Sequence, residues 1–263
     1  MDLLPSACIW AEEGPIERTL ERVKETAFHY VDVEPDTLDA GNALATVKKL
    51  GLKVSCVALD HKLPPNCSWE SVEGAQKTVA QLHKAITRAQ ALGATTGYVG
   101  PCKNTKLLPR YRDAVLSLAD FAAGHGIKFC VEHAPGRALA RARDALAFVE
   151  QAGKANLYLL LDVGHTLLSK ENAWEIVAAA GPRLGYVQLN DNDGKKDRHW
   201  PLLDGILKEE NLVRTLAALR AAGYQGTLGL EIVPYHHVSL ISSFSKNHNL
   251  LLRLQQTQTA AAS

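Results

Sequence analysis

Paired cysteines are missing from this sequence. Its five cysteines, Cys8, Cys56, Cys67, Cys102 and Cys130, are odd in number and form no CxxC pair, which argues against a disulfide framework and a cysteine-based zinc site. Cys8, Cys56 and Cys130 fall inside apolar, strand-like runs, where a reduced thiol packs as a small hydrophobe. Free thiols in a reducing cytosol are therefore expected. Excess charge is missing too: 29 Lys and Arg balance 28 Asp and Glu, and no basic block stands out. That removes the electrostatic footprint of a nucleic-acid or anionic-membrane partner and leaves small molecules as the expected ligands. No apolar run reaches the roughly 18 residues of a membrane-spanning helix. The first strand-like run starts at Ser6, which leaves no room for a secretory leader, so a cytoplasmic location is expected. Finally, Trp10-Ala-Glu-Glu-Gly14 stands where a GxGxxG fingerprint would follow the first strand, so no nucleotide cofactor is expected.

What the chain does contain is one recurring unit. An amphipathic stretch ends in glycine, a short turn follows, and a compact apolar run ends in a polar residue. Gly51 precedes KVSCVALD, Gly93 precedes TTGYVGP, Gly126 precedes IKFCVEH, Gly153 precedes LYLLLDVGH, Gly181 precedes LGYVQLND and Gly223 precedes GTLGLEIVP. Glycine suits a left-handed helix C-cap, so each marks a helix stop before a strand. SACIW from Ser6 and YVDVE from Tyr30 bring the strands to eight. The runs are continuous rather than alternating, as in a parallel sheet covered on both faces. Helical patterns lie between them, among them Ile16 to Thr26, Val72 to Leu92 and Leu107 to Ala123, and Asn172 with Glu175 has capping-box spacing. The 263 residues match one barrel of about 250 residues. The pattern predicts a single-domain α/β fold, a (β/α)8 TIM barrel over 1–263, with a frayed polar tail at about 255–263. The loops after strands are longest at 60–68, 101–107 and 190–207, on the face that carries chemistry in such barrels.

The last four strands end on oxygen-bearing side chains: Glu132, Asp162, Gln188 and Glu231. Carboxylates in apolar strands are costly unless paired, hydrogen-bonded or bound to a cation. In consecutive strands they would meet at one rim, where their repulsion calls for a divalent ion. Two Glu, one Asp and an amide carbonyl form a hard oxygen set that favours Mn2+, with Mg2+ or Co2+ as alternatives, over Zn2+. His61 after the third strand, Glu34 ending the second and Trp10 after the first are candidates to face a bound substrate.

Glu132, Asp162-x-x-His165, Gln188-x-x-Asp191, Arg198-His199 and Gly226-x-x-Gly-Leu-Glu231, with Gly223-Tyr-Gln-Gly226 before the last strand, resemble the xylose isomerase-like superfamily. The likeness is tightest from Ile127 to Pro234 and lies near hydroxypyruvate isomerase and the ketose 3-epimerases. It implies that Glu132, Asp162, Gln188 and Glu231 hold the metal. It implies that Glu132 and Glu231 also shuttle a proton, and that His165, Arg198 and His199 bind substrate oxygens. Many members carry histidine in place of Gln188; the hydroxypyruvate isomerase branch carries glutamine. This chain lacks that branch's Pro-Gly-Arg-x-Glu-Pro run after the seventh strand, so the substrate stays open.

The implied activity is a metal-dependent isomerase or epimerase of a small sugar or hydroxy-keto acid, working through an enediolate. A dehydratase or lyase shares that logic. Two further readings are a DNA-repair endonuclease of the same superfamily, against which stand Gln188 and the balanced charge, and a non-catalytic sugar-binding protein. The superfamily includes monomers, dimers and tetramers, and a homo-oligomer is left open.

Overall fold

The computed structural model describes residues 3–11 and 14–262. Eight strands, β1 (Pro5–Cys8), β2 (Tyr30–Val33), β3 (Lys53–Ala58), β4 (Thr96–Val99), β5 (Lys128–Glu132), β6 (Leu157–Asp162), β7 (Leu184–Leu189) and β8 (Leu228–Leu230), pair in chain order into a closed barrel. Every pairing is parallel, and β1 closes on β8 with Ala7 opposite Leu230. Helices fill the connections: α1 (Ile16–Glu25), α2 (Ala43–Lys49), α3 (Val72–Ala91), α4 (Leu108–Gly124), α5 (Ala142–Ala152), α6 (Val163–Ser169), α7 (Ala173–Ala180), α8 (Glu209–Ala221) and the closing α9 (Leu240–Ala262). The expected TIM barrel is thus the observed fold. The six glycines read as helix stops all have positive φ, between +48° and +76°, a region costly for other residues.

Two packing layers hold the barrel. Inside it, Cys56, Ala58, Tyr98, Cys130, Leu160 and Tyr186 form a compact cluster, and a much larger apolar layer lies between strands and helices. The cysteines are free, and Cys8, Cys56 and Cys130 are fully packed, as expected of small hydrophobes. Deep in the interior Asp32 accepts hydrogen bonds from Ser6 Oγ and Tyr186 OH, each at 2.6 Å. Burial still pushes its carboxyl up to about 6.

Three local expectations change. The segment at 255–262 is helical rather than frayed: α9 runs to Ala262. Gln255 is buried, with Oε1 accepting from the Leu3 N–H (2.8 Å) and Nε2 donating to the Leu3 carbonyl (3.0 Å). The sequence hides this because a polar residue at the end of a chain looks solvated until its partner at the other end is known. The first strand stops at Cys8, and Ile9–Ala11 form a single 3-10 turn. Asn172 makes no side-chain bond to the backbone of α7; its amide donates instead to Glu175 at 3.0 Å.

Candidate active site

The strand ends bring the predicted ligands to one rim. Glu132 closes β5, and Asp162, closing β6, stands in register with Gln188 of β7. Gln188 is in turn opposite Gly229, so Glu231 emerges just beyond β8, its N–H bonded to the Leu189 carbonyl at 3.2 Å. Asp162 has oxygens within 4.8 Å of both Glu231 and His199 on one side, and of both Glu132 and His165 on the other. Asp162 is fully buried and fixed from several directions. Its Oδ1 caps α6 by accepting the His165 N–H (2.9 Å), and the Asn190 amide donates to both carboxylate oxygens at 2.9–3.0 Å. Its own N–H donates to His133 Nε2 at 3.3 Å. Gly164 permits this: a Cβ there would collide with the Asn190 side-chain amide.

Glu132 and Glu231 contrast with Asp162. Neither carboxylate accepts a hydrogen bond from a described residue; the nearest cations are His165 Nδ1, 3.4 Å from Glu132, and His199 Nδ1, 4.0 Å from Glu231. Burial pushes Glu132 well above the carboxylate range and Glu231 up to about 7, with the neighbouring carboxylates adding to the rise. Gln188 is fully buried, its Nε2 donates to Tyr98 OH at 3.3 Å, and its Oε1 has no partner. A buried carbonyl oxygen without a donor costs about 1–3 kcal/mol. Two carboxylates without donors and one such oxygen fit a hard divalent cation, and that donor chemistry supports the metal expectation.

A cavity of about 650 Å³ opens above this rim, lined among others by Glu132, Glu231, His165, His199 and Tyr98. The long loop after β7 is folded onto it by Asp191. Asp191 exchanges two backbone bonds with Trp200 (2.7 and 2.8 Å) and accepts the N–H groups of Asn192, Gly205 and Leu207. His199 sits in that loop at φ +49°, a strained conformation for a residue with a side chain. Asp197 bridges the two histidines, at 2.9 Å from His165 Nε2 and 3.2 Å from His199 Nε2. Against the burial that would raise it, those contacts hold Asp197 well below its usual range. Burial opposes protonation of the histidines, but the surrounding carboxylates prevail and push His199 up to about 10. His133, beneath them, is pushed down to about 3 by burial and is neutral.

Of the residues expected to face substrate, His165, His199 and His61 line the cavity. The structure does not bring the other three there. Arg198 turns outward, where its Nε donates to Asp193 at 3.1 Å, while its neighbours Asp197 and His199 line the cavity. Glu34 is buried at the rim, held by His61 Nδ1 at 2.9 Å and Lys62 Nζ at 2.5 Å. Trp10 packs on the interior cluster and beside the His61 ring, 5.7 Å between centroids. Lining groups that escaped the sequence reading include Tyr98, Arg137, Lys103 and Asp60, the last pushed up to about 6 by burial although it accepts the Gly100 N–H at 2.9 Å. Asp60 could have been flagged, since it follows β3 as the other candidates follow their strands. Tyr98 reads as an ordinary strand residue.

The chain resembles an L-ribulose 3-epimerase of Mesorhizobium japonicum, 25% identical over 238 residues that cover 83% of this chain and 76% of the relative. It also resembles a D-psicose 3-epimerase of Agrobacterium fabrum, 25% identical over 134 residues and 48% of this chain; the match spans about half of that relative, 46%. A solved L-ribulose 3-epimerase superposes with a TM-score of 0.79 at 18% identity, covering 100% of this chain and 99% of that one, a likeness of fold. The model of the xylose isomerase-like TIM barrel family matches residues 20–250, and with the closed eight-stranded barrel in agreement, the chain belongs to that family.

Proposed function

We propose that this protein is a divalent-metal-dependent isomerase or epimerase of a small hydroxy-carbonyl compound, a sugar or hydroxy-keto acid. The observation that carries the reading is the pair of nearly buried carboxylates, Glu132 and Glu231, left without hydrogen-bond donors among the described residues, beside the orphaned oxygen of Gln188. Glu132, Asp162, Gln188 and Glu231 would hold the ion, with Mn2+ the best match to an all-oxygen set. When bound, it supplies Lewis-acid polarisation of the substrate carbonyl and offsets charge developing on the substrate oxygens. Glu132 and Glu231 stand on β5 and just past β8, with β6 and β7 between them. One removes the proton beside the carbonyl and the other returns it, at the neighbouring carbon or on the opposite face. The His199 Nδ1, buried without a hydrogen-bond partner, is a donor for a substrate oxygen. Asp197 fixes both histidines, and Asp191 fixes the loop that carries Asp197 and His199.

The named epimerase relatives support this class. The endonuclease reading fares worse: His165 and His199 are committed to Asp197, and the chain carries a net charge of only +1. Protein loaded with Mn2+ is expected to carry one ion per chain and to exchange a substrate C–H for deuterium in D2O, read by NMR. Loss of a β-hydroxyl in the same spectra would move the assignment to a dehydratase. Absence of both bound metal and exchange across ketoses and keto acids would overturn the reading.

Gly164→Ala tests the support beneath the metal site. The added methyl displaces Asn190 from Asp162, and loss of such a partner commonly lowers metal affinity by about 10–100-fold. Mn2+ titration checks it; unchanged affinity in a folded variant would mean that Asn190 does not orient Asp162.

A further inference from the structure

Besides its carboxylates and histidines, the cavity is lined by two basic side chains, Arg137 and Lys103. Arg137 lines the cavity and is exposed, and its guanidinium forms no hydrogen bond or ion pair with any described residue. Its position is built rather than casual. Ala134-Pro135-Gly136-Arg137 is a tight turn closed by the Arg137 N–H on the Ala134 carbonyl at 3.1 Å, with Gly136 at φ +77°. Proline second and a positive-φ glycine third are the requirements of a type II turn. The turn is clamped on both sides. The Ala134 N–H donates to the Leu139 carbonyl (3.0 Å), and the Ala138 N–H reaches across to the Cys102 carbonyl (2.9 Å) in the loop after β4. That loop carries Lys103, which lines the same cavity and, among the described residues, is tied only to exposed Glu70, also in the lining, at 3.7 Å, a weak pairing in solvent.

A guanidinium on a rigid turn, unpaired and facing a substrate-sized cavity, is suited to a planar oxyanion, which it binds through two parallel hydrogen bonds. A neutral polyol offers no match for that charge. We propose that the substrate carries an anionic group, carboxylate or phosphate, remote from its reacting carbonyl, and that Arg137, with Lys103 beside it, holds that group. The protein would then act on an acidic sugar or keto acid in preference to a neutral ketose. This rests on the reading above that the carbonyl end lies between Glu132 and Glu231.

Three probes share one skeleton: D-fructose, D-fructuronate, which has a carboxylate in place of the terminal alcohol, and D-fructose 6-phosphate. Calorimetric titration of the Mn2+-loaded protein is expected to show one of the two anions binding at least about tenfold more tightly than D-fructose, the scale of one charged hydrogen bond. Whichever anion gains identifies the source of the charge. Arg137→Met should erase the preference and Arg137→Lys should keep part of it, while affinity for D-fructose and the melting temperature stay unchanged, since the guanidinium is exposed and pairs with no described residue. Equal binding of all three probes, failure of both anions to bind, or a preference that survives in Arg137→Met overturns the proposal. Deuterium exchange, followed separately, judges the reaction: an anion preference with neither bound metal nor exchange on any ketose or keto acid would leave the subsite standing and sink the isomerase reading.

Discussion

Glu231→Gln is expected to lose proton exchange by about 10²–10⁴-fold, the usual worth of a positioned acid–base group, while the barrel stays folded. Glutamine fills the same volume and keeps a carbonyl oxygen toward the rim, but it cannot take a proton at neutral pH. Because that oxygen is retained, Mn2+ affinity should fall much less than the exchange rate. The comparison separates a carboxylate that works as a base from one that only holds the ion. Glu132→Gln should behave alike, and the double variant should cost little more than either single one, since the two act on one proton path and their effects are not additive. Exchange is read by NMR, metal by elemental analysis and fold by circular dichroism. A folded Glu231→Gln protein that exchanges at the wild-type rate would remove Glu231 from the chemistry.

That the four rim positions could be read from sequence follows from the physics of strands. A carboxylate at the end of an apolar run has no inexpensive structural explanation, and consecutive parallel strands of a barrel present their C-termini to one rim. The barrel was legible for a similar reason: six helix stops use a positive-φ glycine, and glycine announces them. Legibility fails where a side chain's direction depends on tertiary context. Arg198 and Asp197 are neighbours in a loop whose register is set by Asp191 bonding to Trp200, Gly205 and Leu207, a long-range network with no local signal. That network turns Asp197 inward to the histidines and Arg198 outward to Asp193. Glu34 illustrates the same limit, since its partners His61 and Lys62 come from the next strand's loop. Arg137 is the opposite case. The Pro-Gly turn that holds it is written in the sequence, but nothing there shows that the turn is clamped to the loop after β4 and overlooks the cavity.

The same uncompensated carboxylates fix how stability should respond to pH and metal. In the metal-free protein Glu231 sits at about 7 instead of 4.5, and Asp60 and Asp32 at about 6 instead of 3.8. Across that interval the folded state holds more protons than the unfolded chain, so stability falls as pH rises. His199, raised from 6.5 to about 10, contributes stability that is complete below 6.5 and is lost toward 10, the same direction. Asp197, held low, contributes stability lost only on acidification below its ordinary value, so it stays constant here. From Glu231 alone the loss between about pH 5 and pH 8 is on the order of 3 kcal/mol, or roughly 5–10 °C in Tm for a chain of this size. Mn2+ should reverse the trend. It binds the deprotonated ligands, so its affinity rises with pH, and at a hundredfold excess over Kd it adds about 2.7 kcal/mol. Thermal melts with and without Mn2+ at both ends of the range should therefore diverge as pH rises, and Glu231→Gln should flatten the metal-free curve. A metal-free Tm that climbs with pH, or a Mn2+ shift of equal size at both ends, would show that these carboxylates are compensated by something other than a cation.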